Sequence, residues 1–123
     1  MTESLYDRIA KVLTRTAKKS AFEEVALVGE DGLVICSWGR GGHVDLLNLI
    51  SLQLQTPIAE LRRDSSGVEL DEILATSVGG MKYCFRFFLV DGVDYVLAAV
   101  FPRSRPYRRA TKNAIGELTG LLS

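Results

Sequence analysis

Residues 23–39 read EEVALVGEDGLVICSWG. Two short apolar, β-branched runs, 25–29 and 33–38, flank Glu30-Asp31-Gly32. Branched and aromatic side chains suit a half-buried pleated strand. Asp-Gly supplies the positive φ of a tight reversal, so this spacing predicts an antiparallel hairpin. Working outward, residues 2–20 place Leu5, Ile9, Val12, Leu13 and Ala17 at helical spacing. Ser4-x-x-Asp7 resembles a capping box. Glu3 and Asp7 in the first turns, with Lys18 and Lys19 in the last, suit the helix dipole. Asp7 and Lys11 form an expected i,i+4 pair.

Beyond the hairpin, the glycine-rich run 39–42 ends the strand pattern. It lacks the Lys-Ser/Thr of a phosphate-binding loop. A second helix is expected over 43–63, with Leu46, Leu47, Ile50, Leu54, Ile58 and Leu61 in one stripe. Pro57 predicts a kink there, or a restart capped by Thr56. Leu49 and Leu52 project away from that stripe. Burying a leucine is worth about 1.5–3 kcal/mol, so the pair marks an expected self-association surface, rimmed by Gln53, Gln55 and Glu60.

Three strands follow, at 72–78, 81–90 and 93–101. Gly79-Gly80 and Asp91-Gly92 mark the reversals between them. In 81–90 both alternating sets are largely apolar, which predicts a central strand covered on both faces. Within it, Arg86 is expected to reach an edge or pair with an acid such as Glu72. A last helix over 105–122 turns Tyr107, Ala114, Ile115, Leu118, Leu121 and Leu122 inward. Gly116 and Gly120 weaken that helix by about 1 kcal/mol each. The element order is αββαβββα. It predicts a single α+β sandwich, residues 1–123, with a five-stranded antiparallel sheet.

Composition limits the chemistry. In 123 residues, 15 Lys+Arg balance 15 Asp+Glu, which argues against nucleic acid as a partner. No apolar run approaches the ~18 residues of a membrane span, so no membrane partner is expected. The opening MTESLYDRIAK lacks the basic-then-apolar order of a secretion signal, and a cytoplasmic domain is expected. His43 has no neighbouring His or Cys with which to share a metal. Cys36 and Cys84 are expected as buried structural thiols, and neither metal nor cofactor is expected. Adjacent acids such as Glu23-Glu24 and Asp71-Glu72 point to opposite faces of a strand and make no catalytic pair. No nucleophile–base set is present, so no enzyme is expected and no catalytic residue is nominated.

The charges are nevertheless segregated. Arg103, Arg105, Arg108, Arg109 and Lys112 put five cations within ten residues, while 64–94 holds six acids against two bases. Cations at a helix start oppose its dipole and do not serve helix stability. The four arginines are therefore candidate partner-binding residues, acting through electrostatic complementarity.

The element order, the chain length and the segment 23–39, with Asp31-Gly32 at the turn and an apolar strand ending at Ser37, resemble the Roadblock/LC7 domain, which has a profilin-like fold. The resemblance covers nearly the whole chain. It implies a homodimer or heterodimer that pairs the third strand across the interface and packs the second helices together. That assigns 72–78, with Thr76 and Val78, and 44–61, with Leu49, Leu52 and Gln53, to the interface. It also implies a non-enzymatic regulator or scaffold that binds a small Ras-like GTPase. Two further readings remain. One is a small-molecule sensor of PAS/GAF type, with Tyr83, Phe85, Phe87, Tyr95 and Phe101 lining a pocket. The other is a dimeric chaperone-like binding module.

Overall fold

A computed structural model describes residues 3–39, 53 and 71–123. Its elements are α1 (Leu5–Ser20), β1 (Glu24–Val28), β2 (Val34–Gly39), β3 (Glu72–Thr76), β4 (Met81–Val90), β5 (Val93–Pro102) and α2 (Arg108–Leu122). All five strands form one antiparallel sheet in the order β2-β1-β5-β4-β3. The α+β class and the five-stranded antiparallel sheet are as expected. The helix expected over 43–63 lies outside the described residues, apart from Gln53, which is helical and exposed.

The first helix begins where its capping residue requires. The Ser4 hydroxyl accepts from the Asp7 N–H at 3.1 Å, satisfying one otherwise unpaired donor of the first turn. Ile9, Val12, Leu13 and Ala17 are buried on its inner face, whereas Leu5, on the same stripe, is about half exposed. Lys11 pairs with Glu3 rather than with Asp7. Helical side chains lean toward the N-terminus, which carries the ammonium back past Asp7 to the residue before the cap. The helix ends at Ala21, a left-handed residue at φ 56°, and Phe22 N–H closes back onto Ala17 O at 2.9 Å.

The Asp31-Gly32 reversal forms as predicted. Gly32 takes φ 82°, Gly29 N–H donates to Leu33 O, and the Asp31 carboxylate accepts from Leu33 N–H at 3.0 Å. The β4–β5 turn uses Asp91 and Gly92 at φ 50° and 80°, the two-residue geometry that matches strand twist. The β3–β4 turn corrects one boundary. Ser77 N–H bonds Met81 O at 2.8 Å and the Ser77 hydroxyl accepts from Met81 N–H at 3.1 Å, so the strand stops at Thr76 and Val78 sits in the turn.

Both described helices lie on one face of the sheet. Val25, Leu27, Cys36, Cys84, Leu97, Ala99 and Phe101 meet α1 and α2 there. Phe101 is stacked between Phe22 and Tyr107, with ring centroids 5.1 and 4.9 Å away. The far face carries a second core of Ala26, Val28, Phe85, Ala98 and Val100. The fully buried run of the last three strands is 97–101, because β5 rather than β4 occupies the middle of the sheet. Gly39 faces Glu24 across the β1–β2 ladder, and a Cβ there would lie 2.7 Å from the buried Glu24 side chain.

Candidate interaction sites

Three surfaces gather the residues that carry chemistry. The first is a polar network between the sheet and α2. Register places Glu72 of β3 directly opposite Arg86 of β4, on the helix face. The Arg86 guanidinium donates through Nη1 to Thr111 Oγ1 at 2.9 Å and to the Arg108 carbonyl at 3.1 Å. Its Nη2 reaches Asp71 at 3.4 Å. Its buried Nε lies 4.0 Å from Glu72 Oε2, an electrostatic contact without a hydrogen bond. Glu72 also accepts from the Tyr107 hydroxyl at 3.2 Å and faces Arg108 at 3.7 Å.

This network explains two shifted groups. Burial, with the Glu72 charge added, pushes the Cys84 thiol up to about 12 and raises Tyr107. Pairing with Glu72 fulfils the expectation for Arg86. Cys84 and Cys36 are buried free thiols, as expected, and burial raises Cys36 as well. Thr111 was not legible as a site residue, because a threonine in a helix looks like a surface position until β4 is placed beneath it.

The second surface is the outer edge of β3. Among the described residues β3 pairs with β4 alone, so its other side offers unpaired N–H and C=O groups. Leu74 and Thr76 are exposed on this strand, and Val78 is fully exposed in the adjoining turn. Leu49 and Leu52 lie outside the described residues. The aromatics that were to line a single pocket are divided by the sheet. Tyr83, Phe85 and Phe87 join the far-face core, while Tyr95 and Phe101 join the helix-face core.

The third surface is basic. Arg103 and Arg105 are exposed in the β5–α2 turn, and Arg108 and Arg109 are exposed in the first turn of α2. They do not act as one patch. Arg108 turns toward Glu72 and lies over the Tyr107 ring at 5.6 Å. Arg105 and Arg109 instead line a cleft of about 620 Å³ between α1 and α2, where Arg15 and Lys19 join them. Arg15 pairs across the cleft with Glu117. Lys19 was read only as a dipole partner and Arg15 was not singled out, because some 90 residues of sequence separate Arg15 and Lys19 from Arg105 and Arg109. Among the described residues no helix is long and apolar enough to cross a membrane.

No protein-family model and no curated protein matches the chain. Solved structures do match. MglB of Myxococcus xanthus superposes with a TM-score of 0.78 at 21% identity, over 99% of this chain and 92% of that one. The gliding protein MglB of Thermus thermophilus gives 0.76 at 16% identity, over 98% and 93%. A Roadblock/LC7 domain from Streptomyces avermitilis gives 0.67 at 11% identity, over 92% and 93%. The chain therefore has the Roadblock/LC7 fold, as its hairpin and element order implied.

Proposed function

We propose that this Roadblock/LC7-fold chain is a non-enzymatic, dimeric regulator or scaffold that binds a small Ras-like GTPase. The observation that carries the reading is the outer edge of β3, unpaired among the described residues, with its exposed Leu74 and Val78. A flat strand edge with apolar side chains is a template for pairing with another strand. Pairing β3 with its copy about a two-fold axis closes both edges at once and continues the sheet through the dimer. The likeness to two MglB proteins, one of them described as a gliding protein, is in keeping with this reading.

The regulatory part of the reading is thermodynamic. A binder alters a GTPase only by preferring one nucleotide state of its switch segments. Affinity capture from the source extract, with a GTP analogue in one arm and GDP in the other, tests it. A small GTPase enriched in one arm is the expected result, and its absence from both overturns the GTPase partner. Light scattering tests the dimer separately. The parent chain is expected at twice its monomer mass, and the paired substitution Leu49→Asp with Leu52→Asp is expected to halve it. A monomeric parent chain overturns the dimer. A double variant that keeps the parent mass removes Leu49 and Leu52 from the interface.

A further inference from the structure

The cleft between α1 and α2 is unexplained by stability. Four cations, Arg15, Lys19, Arg105 and Arg109, line it, and the one acid among its lining residues, Glu117, is already paired with Arg15. Among the described residues, Lys19, Arg105 and Arg109 form no ion pair. Gathering like charges costs free energy, and Arg109 also stands in the first turn of α2, where the helix dipole is positive. That helix end has no side-chain cap and no acid in its first turn. Each of these unfavourable features becomes favourable once an anion occupies the cleft.

We propose that this cleft binds a small soluble ligand carrying a phosphate ester or anhydride. Arg105 and Arg109 approach from one wall, and Arg15 and Lys19 from the other. Guanidinium groups present forked donors that match phosphate oxygens, while Lys19 adds a point charge. Asn113 and Ser20 supply neutral hydrogen-bonding groups on the same lining. The turn that carries Arg105 is held in place by Arg103 N–H on Gly80 O at 2.8 Å and Arg105 N–H on Pro102 O at 2.9 Å. The backbone of that turn is thus in place before the ligand arrives, which lowers part of the ordering cost of binding. A volume of about 620 Å³ accepts a ligand larger than phosphate itself. A free ligand fits better than a lipid headgroup, because among the described residues none of the large exposed apolar side chains borders the cleft to enter a bilayer. The site stands apart from the β3 edge and does not depend on the dimer or on a GTPase.

The test is titration of the full chain with inorganic pyrophosphate, followed by backbone amide NMR. Saturable shifts are expected at residues 107–110 and 113. Lys19→Ala and Arg109→Ala are each expected to weaken binding about tenfold. Lys18→Ala is the matched control, since it removes the same charge from the neighbouring position, outside the cleft. It is expected to leave affinity unchanged. Amides that do not shift at millimolar pyrophosphate overturn the proposal, as does a Lys18→Ala loss equal to that of Lys19→Ala. Saturation by a poly-glutamate peptide but not by pyrophosphate replaces the phosphate ligand with an acidic protein segment. Binding only to phosphatidylcholine vesicles containing phosphatidic acid overturns the soluble ligand. Thermal unfolding of each variant confirms that the exposed substitutions leave the fold intact.

Discussion

Arg86 Nη1 donates to the Thr111 hydroxyl at 2.9 Å, and that hydroxyl in turn lies 2.8 Å from the Tyr107 carbonyl. One short chain of hydrogen bonds thus joins β4 to the first turn of α2. Thr111 is wholly buried, so a partner lost there is not replaced by water. Thr111→Val keeps the shape and removes the hydroxyl. It is expected to cost about 1–3 kcal/mol in chemical denaturation. Arg86→Met with Glu72→Gln is expected to cost less than the sum of the single changes, because each single change strands a partly buried charge. Additive losses would show that the two side chains act independently.

Two backbone positions hold residues that their conformations do not favour. Ala21 is left-handed at φ 56°, where a Cβ crowds the backbone. Ala21→Gly is expected to raise stability by up to about 1 kcal/mol. The opposite exchange applies in α2. A Cβ built at Gly116 meets nothing within 4 Å, so Gly116→Ala is expected to add about 0.5–1 kcal/mol. Paired urea titrations, with the slope checked for constancy, measure both.

The buried thiol of Cys84 makes stability depend on alkaline pH. Its folded value of about 12 lies above the ordinary value of 9.0. Between those values the unfolded chain loses the proton and the folded chain retains it, so unfolding is favoured as pH rises. The contribution of Cys84 is complete below about pH 9 and declines from there toward pH 12. Cys84→Ala is expected to flatten that decline, after allowance for a constant loss of packing. Denaturation curves at several pH values from neutral to alkaline decide it. Alkylation at pH 8 should reach Cys84 only in denaturant.

Gly39 is required by its neighbour rather than by its own torsion angles. A Cβ at this position falls 2.7 Å from Glu24 Cδ and 2.9 Å from Cγ. Gly39→Ala is expected to cost about 1–3 kcal/mol by forcing the buried glutamate aside. The double variant with Glu24→Ala is expected to show favourable coupling, measured as a double-mutant cycle. Strict additivity would mean that Glu24 moves freely.

The strands and their reversals were legible because their signals are local. A nearly continuous apolar run marked β4, and Asp31-Gly32 and Asp91-Gly92 marked two turns whose positive φ values the structure contains. The end of β3 was misplaced by two residues because the Ser77 side chain closes the turn, an effect that apolar patterning does not reveal. The partnership of Glu72 and Arg86 could be read from their charges in neighbouring strands. The cleft could not, because its two walls are far apart in sequence and only the packing of α1 on α2 joins them. The same distance hid Thr111, whose partner lies on another element.

The position of β1 between β2 and β5 also governs when the protein can assemble. Glu24 pairs with Val100, and Val28 with Val96, so the first hairpin lacks one neighbour until the last strand has been synthesised. A nascent chain still short of that point exposes the inner side of β1, a ladder of backbone groups flanked by Val25, Ala26 and Leu27. Contacts spanning such long loops slow folding relative to local ones. Closure of the sheet, and with it the burial of both cores, therefore waits until residues 93–102 have been synthesised.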